Sequence, residues 1–205
     1  VDHFAVIVIG TSYGGWEALP HLVAGLPRDI PAALFVVQHV GRHASQLPRL
    51  LSQAGPLPAV HASQRAAIRP GLIYVAPPDH HLIVERGYMR LTRGPRENWA
   101  RPAIDPLFRS AARAYGPSVI GVILTGMLND GSAGLRAVRA AGGRAVIQDP
   151  ADAAAPDMPW NALRHAGADH RVKLAAIPQV LARLADEMIS ESETTPSNRR
   201  WRATS

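Results

Sequence analysis

The chain of 205 residues contains no cysteine, so it has neither a disulfide framework nor thiolate chemistry. No apolar run approaches the ~20 residues that a membrane helix needs, and no membrane insertion is expected. The opening Val1-Asp2-His3 lacks the basic region of a secretory signal. These absences fit a cytoplasmic protein, which is the expected location. No set of His, Asp and Glu shows metal-ligand spacing, and the adjacent His80 and His81 do not readily face one centre. No metal and no other cofactor is expected. Internal repeats are absent, and the basic tail has one tryptophan with no interleaved aromatic platform, so nucleic acid is not an expected partner.

What is present suits one domain with a tail. A hydrophobic fraction of 47% supports a sizeable core. The net charge of +6 comes mostly from scattered arginines, consistent with a solvated surface or attraction to an acidic partner. Only Arg199-Arg200-Trp201-Arg202 is dense. Residues 1–189 carry the periodic segments and are expected to form the domain. Residues 190–205 are polar, without periodicity, and are expected to be a disordered tail.

The stretch Phe4 to Gly15 organises the rest. Phe4 to Ile9 reads as a buried strand that ends in Gly10-Thr11-Ser12-Tyr13-Gly14-Gly15, and Gly10, Ser12 and Gly14 match G-x-S-x-G. A helix from about Gly15 to Gly25, a strand over Ala32 to Val37 and a helix from about Ala44 to Gln53 make a β-α-β-α opening, hence a parallel sheet. Short strands are expected at Ala59-Val60 and at Leu72 to Ala76. Leu82-Ile83-Val84 and Met89-Arg90-Leu91 flank a turn and read as an antiparallel hairpin. Arg93 to Ala103 is a long polar loop of the kind that often carries function. Then follow a helix over Ile104 to Tyr115, a strand over Val119 to Leu124, a helix from about Ser132 to Ala141 and a strand over Arg144 to Gln148. A short helix over Trp160 to His165, an edge strand at Val172 to Leu174 and a helix over Ile177 to Met188 complete the domain. The fold class is α/β: a doubly wound, mostly parallel sheet flanked by helices, with a small antiparallel hairpin.

Ligands of such sheets bind beyond the carboxyl ends of the strands. The first buried run delivers Ser12 there, the second His39 and the run over Val119 to Leu124 delivers Asp130. A hydroxyl, an imidazole and a carboxylate are the groups that acyl transfer needs at neutral pH: the imidazole takes the serine proton and the carboxylate orients the imidazole. Each residue also has a plain structural alternative. Ser12 suits a helix N-cap, Asp130 suits a cap for the helix at Ser132, and His80 and His81, which also follow a strand, compete with His39 for the base. A Gly/Ser-rich turn such as Gly10 to Gly15 can also cradle phosphate, although Ser12 stands where G-x-G-x-x-G has its second glycine.

Six segments in order resemble the catalytic domain of the CheB family of chemotaxis protein-glutamate methylesterases. They are Ile9 to Gly15, Gln38-His39, Pro70 to Pro77, Arg101 to Ser110, Leu124 to Gly131 and Asp157-Met158-Pro159. The resemblance implies hydrolysis of methyl esters on glutamates of chemoreceptor cytoplasmic helices, with deamidation of receptor glutamines as a second candidate activity. It implies Ser12 as nucleophile, His39 as general base in preference to His80 and His81, and Asp130 as orienter. It places Met127 beside the site, with its backbone N–H as a candidate oxyanion donor. The chain departs from the family pattern in having Tyr13 where a small residue usually follows the nucleophile, and Leu128 where glycine is common. With a strand beginning at Phe4, no N-terminal receiver domain is expected within this sequence. Two other readings remain: a nucleotide- or phosphate-binding module, and a signalling interaction module of the same fold whose triad is little used.

Overall fold

Continuous apolar runs with no polar face can be buried only in a sheet covered on both sides, and they set the architecture here. The structure, a computed structural model, describes residues 4–39 and 45–194. In chain order it contains β1 (Ala5–Thr11), α1 (Gly15–Ala24), β2 (Ala32–Gln38), α2 (Leu47–Ala54), β3 (Ala59–His61), β4 (Ile73–Val75), β5 (His81–Glu85) and β6 (Tyr88–Thr92). These are followed by α3 (Ile104–Tyr115), β7 (Val119–Ile123), α4 (Ser132–Ala140), β8 (Arg144–Gln148), α5 (Asp157–His165), β9 (His170–Val172) and α6 (Ile177–Thr194). Seven strands form one sheet in the order β3-β4-β2-β1-β7-β8-β9, and all its pairings are parallel. β5 and β6 pair antiparallel as a separate hairpin.

Successive side chains of β1 alternate between the two faces. Ile7 and Ile9 join Leu19 and Leu22 of α1, Leu51 of α2 and Leu181 of α6 in one core layer. Val6 and Val8 join Leu107 and Phe108 of α3, Leu135 of α4, Met158 of α5 and Leu82 of the hairpin in the other. The chain leaves β1 toward β2 on one side and returns to pair β7 on the other. The sheet therefore reverses its winding between β1 and β7, and a crevice opens there beyond the strand ends.

The departures from the expected elements have local causes. α5 starts at Asp157, three residues before the expected Trp160, because Pro159 sits in its first turn, where the missing N–H would have no helical acceptor. α6 continues past Met188 to Thr194 on Ile189 and then polar residues, with Arg183 paired to Glu187 and the Ser190 hydroxyl donating to the Asp186 carbonyl. Residues 190–194, expected in the tail, are thus helical, and the Arg199 to Arg202 cluster lies outside the described residues. The edge strand falls at His170–Val172 instead of Val172 to Leu174, its register set by pairing with Val146–Gln148. α2 begins at Leu47, and the expected start at Ala44 lies outside the described residues.

Phe108 is fully buried, and its ring lies against Gly121 of β7. Phe108→Ala should lower the unfolding free energy by about 3–5 kcal/mol, from lost transfer energy plus the cavity left behind. Denaturant titration checks this, and a loss below ~1 kcal/mol would contradict the packing described.

Candidate active site

Three strand ends meet at the crevice, and backbone hydrogen bonds lock them together. The Ser12 N–H donates to the Thr125 carbonyl (3.1 Å), tying the turn after β1 to the turn after β7. The Gln38 side-chain amide donates to the carbonyls of Ser12 (2.8 Å) and His39 (3.1 Å), tying β1 to β2. Gly14 caps α1 at φ 80°, a conformation that L side chains rarely adopt. Gly15 packs so closely on Gln38 and Thr11 that a Cβ would overlap both side chains. The G-x-S-x-G-G sequence thus folds as a tight strand-to-helix turn with Ser12 at its apex. Among the described residues no side chain caps α1, so Ser12 is not spent as an N-cap.

His39 Nδ1 lies 3.2 Å from Ser12 Oγ, and His39 Nε2 lies 2.8 Å from Asp130 Oδ2. An ionised carboxylate only accepts, so the imidazole proton sits on Nε2 and Nδ1 is left to accept from the serine hydroxyl. Asp130 does not cap α4, whose N-cap is Gly131 with no side-chain bond. It caps α3 instead. Oδ2 accepts from the Ile104 N–H (2.7 Å), and Oδ1 accepts from the Asp105 N–H (3.1 Å) and from Asn98 Nδ2 (2.7 Å). Asp105 performs the converse service, with Oδ1 accepting from the Gly134 N–H (2.6 Å) in the first turn of α4.

These contacts set opposite acidities. Burial pushes Asp130 up, but hydrogen bonds from His39, Ile104 and Asn98 and attraction to the imidazole outweigh it, and the group falls below its ordinary 3.8. Burial also pushes Asp105 up. With repulsion from Asp130, that prevails over the bonds from Gly134 and Asn98 and the attraction of Arg109, and Asp105 stands above 3.8.

The other expected residues are accounted for. His80 and His81 lie away from Ser12. His80 bonds the Pro78 carbonyl (2.9 Å) and accepts from Arg93 (3.2 Å). His81 is buried between the Pro95 carbonyl (2.9 Å) and the Ala103 N–H (3.2 Å). Both serve to hold the loop over 93–103. Met127 and Tyr13 line an open cavity of about 780 Å³ with Ser12, His39, Trp16 and Glu17. The Met127 N–H makes no hydrogen bond among the described residues, and Met127 lines the cavity. Tyr13 and Met127 are exposed, at 66% and 53%. Leu128 has φ 66°, the region that favours glycine, which accounts for glycine being common there in the resembled family. Asn98, Asp105 and Gln38 were not singled out as site residues from the sequence, and Asn98 lies in a loop with no periodic signal.

A doubly wound α/β sheet with serine, imidazole and carboxylate hydrogen-bonded in series at its switch point defines the class as a serine-hydrolase-like α/β protein. The particular family follows from comparison. The CheB methylesterase family model matches residues 7–181, and the chain belongs to that family. A Leptospira interrogans relative is 36% identical over 184 residues, which cover 89% of this chain and 95% of the relative. Protein-glutamate methylesterase/protein-glutamine glutaminase 3 of Anaeromyxobacter dehalogenans is 44% identical over 79% of this chain, and this match spans 48% of that protein. The catalytic domain of Thermotoga maritima CheB methylesterase superposes with a TM-score of 0.84 at 31% identity, covering 88% of this chain and 98% of that one.

The acidities give a direct check. In a carboxyl-carbon NMR titration, Asp130 should show its midpoint below 3.8 and Asp105 above it. The signs carry over to stability. For Asp130 the unfolded chain binds the proton more tightly, so its contribution is full above the unfolded value and is lost as pH falls through the folded one. For Asp105 the native state binds the proton more tightly, and stability declines as pH rises through its folded value. Midpoints in the reverse order would contradict the hydrogen-bond assignment.

Proposed function

We propose that this protein is a protein-glutamate methylesterase acting on methyl-esterified glutamates of chemoreceptor cytoplasmic helices, with Ser12, His39 and Asp130 as its catalytic triad. The observation that carries the reading is the unbroken series Ser12 Oγ, His39 Nδ1, His39 Nε2, Asp130 Oδ2, at 3.2 Å and 2.8 Å. Ser12 Oγ attacks the ester carbonyl as its proton passes to Nδ1. The tetrahedral oxyanion is met by the free Met127 N–H at the cavity wall. Collapse releases methanol, which takes the Nδ1 proton. Water then attacks the acyl-serine, giving one proton to the same nitrogen; the acyl–Oγ bond breaks as Oγ takes that proton, and the glutamic acid formed releases its remaining proton to solvent. Asp130 stays ionised and stabilises the imidazolium in both halves.

The same steps with ammonia as leaving group would deamidate a receptor glutamine. Exposed Tyr13, Trp16 and Met127 around an open cavity suit a single side chain presented by a larger protein. Tyr13, next to Ser12 in the chain and exposed at the cavity, is placed to touch the substrate. Among the described residues no helix is long and apolar enough to cross a membrane. The site of action proposed is the cytoplasm, where the receptor helices lie.

The test is methanol release from a methyl-esterified receptor cytoplasmic fragment. Ser12→Ala should lower the rate by at least about a thousandfold, and His39→Ala by a comparable factor. Unchanged turnover in Ser12→Ala or in His39→Ala would sink the assignment.

A further inference from the structure

Among the described residues, the loop over 93–103 reaches the site through the Asn98 side chain. Asn98 Nδ2 donates to Asp130 Oδ1 (2.7 Å) and to Asp105 Oδ2 (2.8 Å), so a single amide group bridges two buried carboxylates. Its backbone is arranged for this. Glu97 and Ala100 exchange backbone hydrogen bonds (3.2 and 2.9 Å), and Asn98 and Trp99 between them have φ 49° and 64°. Those are the paired positive φ values of a two-residue type I′ turn, in which asparagine is favoured at the first position. Trp99 occupies the second position, where glycine is preferred, and is 89% exposed. The turn is anchored to α3 by Arg109, whose guanidinium donates to Glu97 (2.6 Å).

We propose that Asn98 is a positioning residue of this enzyme: its amide fixes the Asp130 carboxylate against His39 and keeps the neighbouring Asp105 charge from displacing it. The inference rests on the triad reading above. Two carboxylates joined through one donor pair repel unless protons stand between them. The two Asn98 N–H groups are those protons, and unlike a titrating proton they are present at every pH. Among the described residues, the other charged or titratable groups facing the cluster are His39 beyond β2, and Arg109 with Glu97 on the α3 side. Among the described residues the Asn98 amide bonds the two carboxylates and neither Ser12 nor His39, so its route to the triad runs through Asp130.

The experiment uses the same methanol-release assay on wild type, Ser12→Ala, Asn98→Ala, Asn98→Ser and Asn98→Asp, with circular dichroism to check folding. Asn98→Ala should lose kcat by about ten- to a hundredfold, as loss of a partner that orients a functional ligand typically does, with KM within about threefold. Asn98→Ser, which keeps one donor, should fall between it and wild type, and it carries the test if the alanine variant does not fold. Asn98→Asp puts a third carboxylate in the cluster and can donate only when protonated. Its rate relative to wild type should therefore rise as pH falls, a response that a scaffold role alone would not produce. An active wild type and inert Ser12→Ala, together with Asn98 variants that keep wild-type kcat and pH profile, would overturn this inference alone. A Ser12→Ala variant as active as wild type would instead overturn the triad reading on which it rests.

Discussion

The Asp130 carboxylate is the constraint on which the rest of the site depends. It is 3% exposed and ionised, and a buried charge left without partners costs several kcal/mol. Among the described residues four donors answer it: the imidazole, two N–H groups from the first turn of α3, and the Asn98 amide. Hydrogen bonds to an ionised group contribute about 1.5–3 kcal/mol each, and the free N–H groups of a helix N-terminus already favour a negative charge. The carboxylate therefore stabilises α3 while it orients His39. Removing it would both uncap a core helix and release the imidazole.

The same economy joins α3 to α4. The carboxylate that precedes α4 caps α3, and the carboxylate in the first turn of α3 caps α4 through Gly134. This cross-capping fixes the end of β7 relative to the helix packed beneath it. The Gln38 amide and the Ser12–Thr125 bond fix the ends of β1 and β2 in turn. A serine, an imidazole and a carboxylate separated by up to 118 positions of chain are thereby held within hydrogen-bond reach on a rigid sheet rim, with no reliance on the open side of the crevice.

The sequence showed most plainly what burial on two faces dictates. β1, β2, β7 and β8 are continuous apolar runs, and the residue that follows each run lands where a parallel sheet presents its ligand-facing rim. That logic brought Ser12, His39 and Asp130 to one place, although by itself it left His80 and His81 as rivals. What distinguishes them is bonding: both rivals are used up by loop carbonyls and N–H groups, which no pattern of residue types reveals. Asn98 and Asp105 were equally hidden, because their roles arise from a turn with two positive φ values and from a helix end meeting a distant loop. The start of α5 was obscured by Pro159, and the end of α6 by the polar character of its last turns. The ring orientation of His39, with Nδ1 toward serine, is likewise a product of tertiary placement alone.

The most direct measurement of the central claim is the tautomer of His39, read by nitrogen-15 correlation NMR at neutral pH. The account predicts a protonated Nε2 held by Asp130 and an unprotonated Nδ1 facing Ser12. A proton found on Nδ1 with Nε2 bare would contradict it, because the carboxylate would then not be orienting the ring and the serine would have no base.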